Sequence, residues 1–184
     1  FFEILVNRYS QKLFRYLYHY FRFSKDTAQD VLQEIWMQVW QKLDKYNQEM
    51  KFESWIYSLS HNLCIDRMRK HSTTNQTFNN KMANEDWEIL NIVDTASSPE
   101  NLKDDINKKF KSELVKNILN KLDEDTKSLI VMYYFEQKSY DEISEIINKT
   151  PSTIRVQMHR AKEKLRELIT NDWILSKALI FDLE

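Results

Sequence analysis

Residues 139–166, SYDEISEIINKTPSTIRVQMHRAKEKLR, carry groups able to neutralise phosphate and read base edges. Arg155, His159, Arg160, Lys162, Lys164 and Arg166 stand against a single acid in their stretch, Glu163. Small hydroxyl residues, Ser152 and Thr153, precede them. A helix laid in a major groove presents its N-terminal residues to base edges and its later cations to phosphate. The flanking residues supply the scaffold. Ser139 and Glu142 have the spacing of a capping box, and Ile143, Ile146 and Ile147 make one apolar face. Asn148-Lys149 reads as the turn, and Thr150-Pro151 as N-cap and first helical residue of a second helix. Together these predict a helix-turn-helix, with Ile154, Met158, Ala161 and Leu165 facing inward and Ser152, Arg155, Val156 and His159 facing outward.

Catalytic constellations are missing from the sequence. His19, His61, His71 and His159 have no second ligand at a metal spacing, and the lone Cys64 permits neither an internal disulfide nor a cysteine metal cluster. In SLSHNLCID it reads as a small buried hydrophobe. Glycine is absent, where average usage predicts about thirteen, so phosphate loops and nucleophile elbows cannot be built. No catalytic residue, metal or cofactor is expected.

The 184 residues are 42% hydrophobic and 13% aromatic, enough for a packed core. With two prolines and no glycine, the expected class is all-α: two small helical domains joined by a flexible linker. The formal charge of −1 is unevenly spread. Residues 1–70 hold 11 Lys and Arg against 8 Asp and Glu, and residues 109–170 hold 12 against 10. The connector 71–108 holds 3 against 7. Because non-specific DNA affinity comes from phosphate neutralisation, the free chain should bind duplex weakly and need a larger partner. No apolar run approaches the roughly 18 residues of a membrane span, no signal peptide is visible, and a reducing cytoplasm is expected.

The rest of the chain must position these groups. Residues 1–23 repeat Phe2, Leu5, Val6, Tyr9, Leu13, Tyr16, Leu17 and Tyr20 at helical steps. Residues 26–43 place Ala28, Val31, Leu32, Ile35, Trp36, Val39, Trp40 and Leu43 on one face and Gln29, Asp30, Gln33, Glu34, Met37, Gln38 and Gln41 on the other. That second face has almost no cations and reads as a polar docking surface. Residues 51–70 begin with Phe52, Trp55, Ile56 and Leu59; Ser58, Ser60, His61 and Asn62 then predict local weakening of the helix, because such side chains compete for backbone hydrogen bonds. Asn62, Asp66 and Arg69 share a face, and Arg67, Arg69 and Lys70 make a basic end. Aromatics beside cations suit single-stranded nucleic acid. Residues 71–98 read as linker with an acidic-apolar island, EDWEILNIVD; a helix is expected from Pro99 through Leu122; Asp123 or Asp125 caps the next one; and 171–184 is a short amphipathic tail.

These runs resemble the bacterial sigma-70 family of the extracytoplasmic-function group, from roughly Phe2 to Leu168. DTAQDVLQEIWMQVW is similar to the family's polymerase-clamp-binding helix, which implies core binding through Asp30, Gln33, Glu34 and Trp36. FESWIYSLSHNLCIDRMRK resembles the segment that reads and opens the minus-ten element, which implies roles for Trp55, His61, Asn62, Asp66, Arg67, Arg69 and Lys70. SYDEISEIINKTPSTIRVQMHRAKEKLRE resembles the minus-thirty-five reader, which implies DNA contacts by Ser152, Thr153, Arg155, Val156, His159, Arg160 and Lys164. Val156 stands where the family usually has serine, Gln157 where it has a basic residue, and Ser152 and Asn148 where glycine is common. The resemblance implies a promoter-directing initiation factor whose partners are the RNA polymerase core, promoter DNA and an anti-sigma factor. On the residues alone, an ordinary helix-turn-helix regulator and a protein-binding helical adaptor stay open.

Overall fold

A computed structural model describes residues 2–22, 24–73 and 113–171, and every regular element among them is helical. The expectations for the linker, for the start of its helix at Pro99 and for the tail lie outside the described residues. Helix α1 spans Phe2–Tyr20, α2 Lys25–Lys42 with a short 3₁₀ turn at Leu43–Lys45, and α3 Phe52–Thr73. After the linker come α4 (113–120), α5 (Glu124–Ile130), a wide π turn at Val131–Phe135, α6 (Tyr140–Ile147) and α7 (Pro151–Asn171).

Local chemistry sets most ends. Ser24 caps α2 by accepting from Thr27 N–H. Asp123, of the two candidates, caps α5, accepting from Thr126 N–H at 2.9 Å. Ser139 and Glu142 form the expected capping box. Asn148 closes α6 in the left-handed region (φ 56°), and Thr150 Oγ1 accepts from Thr153 N–H at 3.3 Å to start α7. Arg22 (φ 60°) and Gln137 (φ 52°) also take left-handed conformations. Each costs on the order of 1 kcal/mol, a consequence of building tight turns without glycine.

The core departs from expectation in two places. Trp40 sits on the predicted apolar face of α2 but is 66% exposed, while Ala28, Val31, Ile35 and Val39 are fully buried. The apolar stripe is wider than the surface α1 and α3 cover, and Trp40 lies at its margin, edge-on to Phe2 with ring centroids 5.0 Å apart. The predicted weak point in α3 is likewise missing: the helix runs unbroken through Ser58–Asn62, and Ser60 Oγ donates to Ile56 O at 2.8 Å.

The segments before and after the linker share one buried cluster, from Leu13, Tyr16, Leu17 and Tyr20 through Ile35, Ile56 and Tyr57 to Met132, Ile143, Ile154 and Met158. Helix α3 lies against α6 and α5, and α6 in turn carries α7. Polar groups line this contact. Glu136, with its side chain 1% exposed, accepts from Arg15 Nε at 2.8 Å, Arg15 Nη2 at 3.1 Å and Tyr57 Oη at 2.8 Å. Lys138 pairs with Glu53, and Ser54 Oγ donates to Glu145 at 2.9 Å. The π turn, closed by Glu136 N–H on Val131 O at 3.1 Å, brings Glu136 and Lys138 to the N-terminal segment.

Candidate nucleic-acid interface

On α2, Asp30, Gln33 and Glu34 are exposed, as a docking face requires. Trp36 is not part of that surface: its Nε1 donates to Ser10 Oγ at 3.0 Å and its ring meets Phe2, so it fastens α2 to α1. The polar face of α2 has almost no cations of its own, yet Arg67 Nη1 of α3 lies 3.6 Å from the Glu34 carboxylate. The pair is partly exposed and worth under about 1 kcal/mol. Its significance is positional, because it sets the acidic-amide face of α2 beside the outer face of α3.

That outer face of α3 presents Asn62, Asp66, Arg69 and Lys70, all exposed, with Arg67 half-buried beside them. Since α3 is continuous, Asn62 is a mid-helix side chain rather than a cap. Trp55 is half-buried in an aromatic cluster, 5.0 Å from Tyr46 and 5.5 Å from Phe52 by ring centroid. His61 falls on the other side of the helix. It is 5% exposed, with Nδ1 2.8 Å from Ser128 Oγ, which also lies 3.0 Å from Tyr16 Oη. Burial drops its pKa to about 4, so it is neutral at pH 7. In this arrangement His61 binds the C-terminal segment and is turned away from the face that Asn62 shares with Asp66.

On α7 the expected division holds. Ile154, Met158 and Ala161 are buried and Leu165 half-buried, while Ser152, Thr153, Arg155, Val156, His159 and Arg160 are exposed. His159 Nδ1 lies 3.5 Å from Glu163 one turn on. Lys164 is committed elsewhere: its Nζ donates to Asp123 at 2.7 Å, tying α7 to the cap of α5. Burial raises the Asp123 pKa, but the Lys164 ammonium and the Thr126 donors outweigh it and hold the carboxyl at about 2. Lys162 lies over the Tyr133 ring at 4.8 Å and donates to Tyr140 Oη at 3.3 Å.

Two family profiles match this chain in order: Sigma-70 region 2 over residues 5–74 and Sigma-70, region 4 over residues 112–165. The chain belongs to the sigma-70 family, extracytoplasmic-function group. It is an RNA polymerase sigma factor that directs transcription initiation at promoters. The sigma factor is 26% identical over 171 residues to RNA polymerase sigma factor YlaC of Bacillus subtilis, covering 91% of each chain. It is 27% identical to the ECF RNA polymerase sigma factor SigW of the same organism, covering 90% of this chain and 87% of that one. Its fold is that of RpoE of Bartonella quintana, solved in complex with the anti-sigma factor NepR (TM-score 0.63, 21% identity, 93% and 98% covered). CnrH, solved in complex with the cytosolic domain of CnrY, is equally similar in fold (TM-score 0.63, 19% identity, 93% and 88% covered).

Residues that join the two segments of this sigma factor escaped sequence reasoning. Glu136 and Lys138 sit in a short connector, and Arg15, Tyr57 and Glu53 read as ordinary helix positions. Their partners lie 79 to 121 residues away, beyond any periodicity. The one available signal was indirect: Glu136-Gln137-Lys138 interrupts an apolar run immediately before the capping box. Among the described residues, no cluster of His, Cys, Asp or Glu could hold a metal, and no helix is long and apolar enough to cross a membrane.

Proposed function

We propose that this sigma factor grips the polymerase core through Asp30, Gln33 and Glu34 and uses the adjacent outer face of α3 on the opened minus-ten element. Residues 1–70 act as the core-binding and melting domain, 109–170 as the upstream reader, 71–108 as the connector and 171–184 as a tail. Asn62 accepts a base extruded from the stack, which costs a few kcal/mol of unstacking, while Arg67, Arg69 and Lys70 hold the backbone. On α7, Ser152, Thr153, Arg155, Val156, His159 and Arg160 meet the minus-thirty-five element in the major groove. The sigma factor brings no catalytic group of its own and works in the cytoplasm, where the polymerase is.

The observation that carries this reading is the juxtaposition of an exposed Asp30-Gln33-Glu34 face with the Asn62-Asp66 face, joined by the Arg67–Glu34 pair at 3.6 Å. A surface that binds the enzyme then lies beside the surface that holds the strand. In the arrangement described, α5 and α6 each pack against both α3 and α7, so at usual helix spacings the two come within about 20 Å of each other. The two promoter elements lie about 50–70 Å apart along the duplex. Engaging both therefore requires the segments to part at the Glu136–Arg15–Tyr57 and His61–Ser128 contacts, which also frees His61 for DNA. An anti-sigma factor that holds the segments together would keep the promoter readers apart from their sites; RpoE, of similar fold, was solved in complex with an anti-sigma factor.

The test is co-purification of the Asp30→Lys, Glu34→Lys double variant with core polymerase, followed by run-off transcription. Both are lost while the melting temperature stays near that of the unaltered chain, because surface charge changes usually cost under about 0.5 kcal/mol. Normal co-purification would overturn the docking face.

A further inference from the structure

We propose that Val156 is a specificity-determining residue that reads the C5-methyl group of a thymine in the upstream element; the inference rests on α7 being the upstream reader. Helix α7 is seated by Ile154, Met158 and Ala161, which are 0%, 0% and 2% exposed. At about 100° per residue, Val156 points about 170° away from the mean direction of those three. It lies on the line of the helix that reaches deepest into a groove, one turn after Ser152 and one turn before Arg160. It is 52% exposed, and Arg155, His159, Arg160 and Glu163 surround it in a shallow depression.

A β-branched residue gains nothing at an exposed helix position, where straight-chain residues lose less rotamer freedom. Its use must come from what it touches. Valine has no donor and no acceptor. The major-groove edge of a base pair offers one apolar feature, the thymine methyl. Opposite cytosine, adenine or guanine, the same side chain would strip water from an amino or carbonyl group and give nothing back, which is the costly outcome for a polar group. Opposite thymine, it buries a methyl. Arg155 and His159, on either side, remain available for polar edges or phosphate. Val156 thus adds a thymine preference to a helix whose other outward groups read hydrogen bonds and charge.

The experiment uses the full chain assembled with core polymerase. Duplexes with a randomised upstream segment are selected for binding, and each thymine of the winning duplex is then replaced, one at a time, by uracil, which differs by that methyl alone. At one upstream position uracil weakens binding about fourfold, the factor expected for one buried methyl-sized group. At that position the Val156→Ser variant binds both forms alike. The uracil arm needs only the unaltered chain, so it stands whether or not the variant folds. If uracil is tolerated at every upstream position, if no thymine is selected there, or if Val156→Ser keeps the difference, the proposal is overturned while the assignment of α7 survives. Absence of any upstream selection overturns both.

Discussion

Helices α3 and α7 are near equals in length, 22 and 21 residues, and both are proposed to meet promoter DNA. They meet the rest of the molecule in different ways. α7 has one buried stripe, Ile154, Met158 and Ala161, and one open face. α3 is covered on several sides: Ile56 and Cys64 are fully buried, and Ser54, Tyr57, Ser60 and His61 are buried as well, three of them holding polar groups of the C-terminal segment. Past its first turn, the described exposed positions of α3 are Asn62, Asp66, Arg69 and Lys70. A reader that stands alone needs a clean amphipathic split. A reader that is also an interface element must bury polar side chains, and each of those must find a partner. Polar partners exchange for water more readily than apolar ones do, which suits the opening proposed for this contact.

The largest effect that separates the two faces of α7 is Ile154→Ala against Val156→Ala. The inner change should cost about 2–5 kcal/mol through lost burial and a cavity; the outer one should stay within about 0.5 kcal/mol. Urea unfolding of the full chain measures both, and equal costs would erase the distinction between seat and reading face.

On α3, Tyr57→Phe keeps the ring and removes the donor to Glu136. Loss of a hydrogen bond to a buried charge should cost about 1.5–3 kcal/mol, with Arg15 still in place to limit it. Asn62→Ala, on the outer line five residues on, should leave stability within about 0.5 kcal/mol yet reduce permanganate reactivity of the promoter bubble. A large loss of stability in Asn62→Ala would show that the outer line is structural too.

Acidification tests the interface from the inner side. Burial holds His61 and His19 at pKa values of about 4, below the usual histidine value. Between that value and about 6.5 the unfolded chain binds more protons than the folded one, so stability rises with pH across this window and falls as pH drops through it. From pH 7 to pH 5 each histidine should withdraw about 2 kcal/mol. Asp125 facing His61 opposes the shift, while Lys149 and Arg69 reinforce it. Replacing His61 by Gln should roughly halve the slope of unfolding free energy against pH; an unchanged slope would mean that His61 is solvated rather than held against Ser128.

Much of α7 and its neighbourhood was legible in sequence because the deciding interactions are local. The capping box at Ser139, the left-handed Asn148 and the Thr150-Pro151 start each involve residues no more than four positions apart. The inward and outward sides of α7 follow from a period that one neighbouring layer covers cleanly. Trp40 was misread because periodicity gives the direction of an apolar stripe and not the width that a neighbour will cover. The burial of His61 was not legible because its side of α3 carries serines and a tyrosine, which look like a solvent face until another segment arrives.

By itself the sequence determined the periodic helices, the capping box at Ser139, the Thr150-Pro151 start, the turn between α6 and α7 and the family to which those motifs belong, since each rests on hydrogen bonds and periodicities within one or two turns. Only the tertiary structure decided which side of α3 faces water, that Arg67 joins the Asp30–Glu34 face of α2 to the outer face of α3, and that Glu136 is held by Arg15 and Tyr57. Those contacts join groups 33 to 121 residues apart. Whether a polar side chain is solvated or paired depends on what the rest of the chain packs over it, and no local pattern records that.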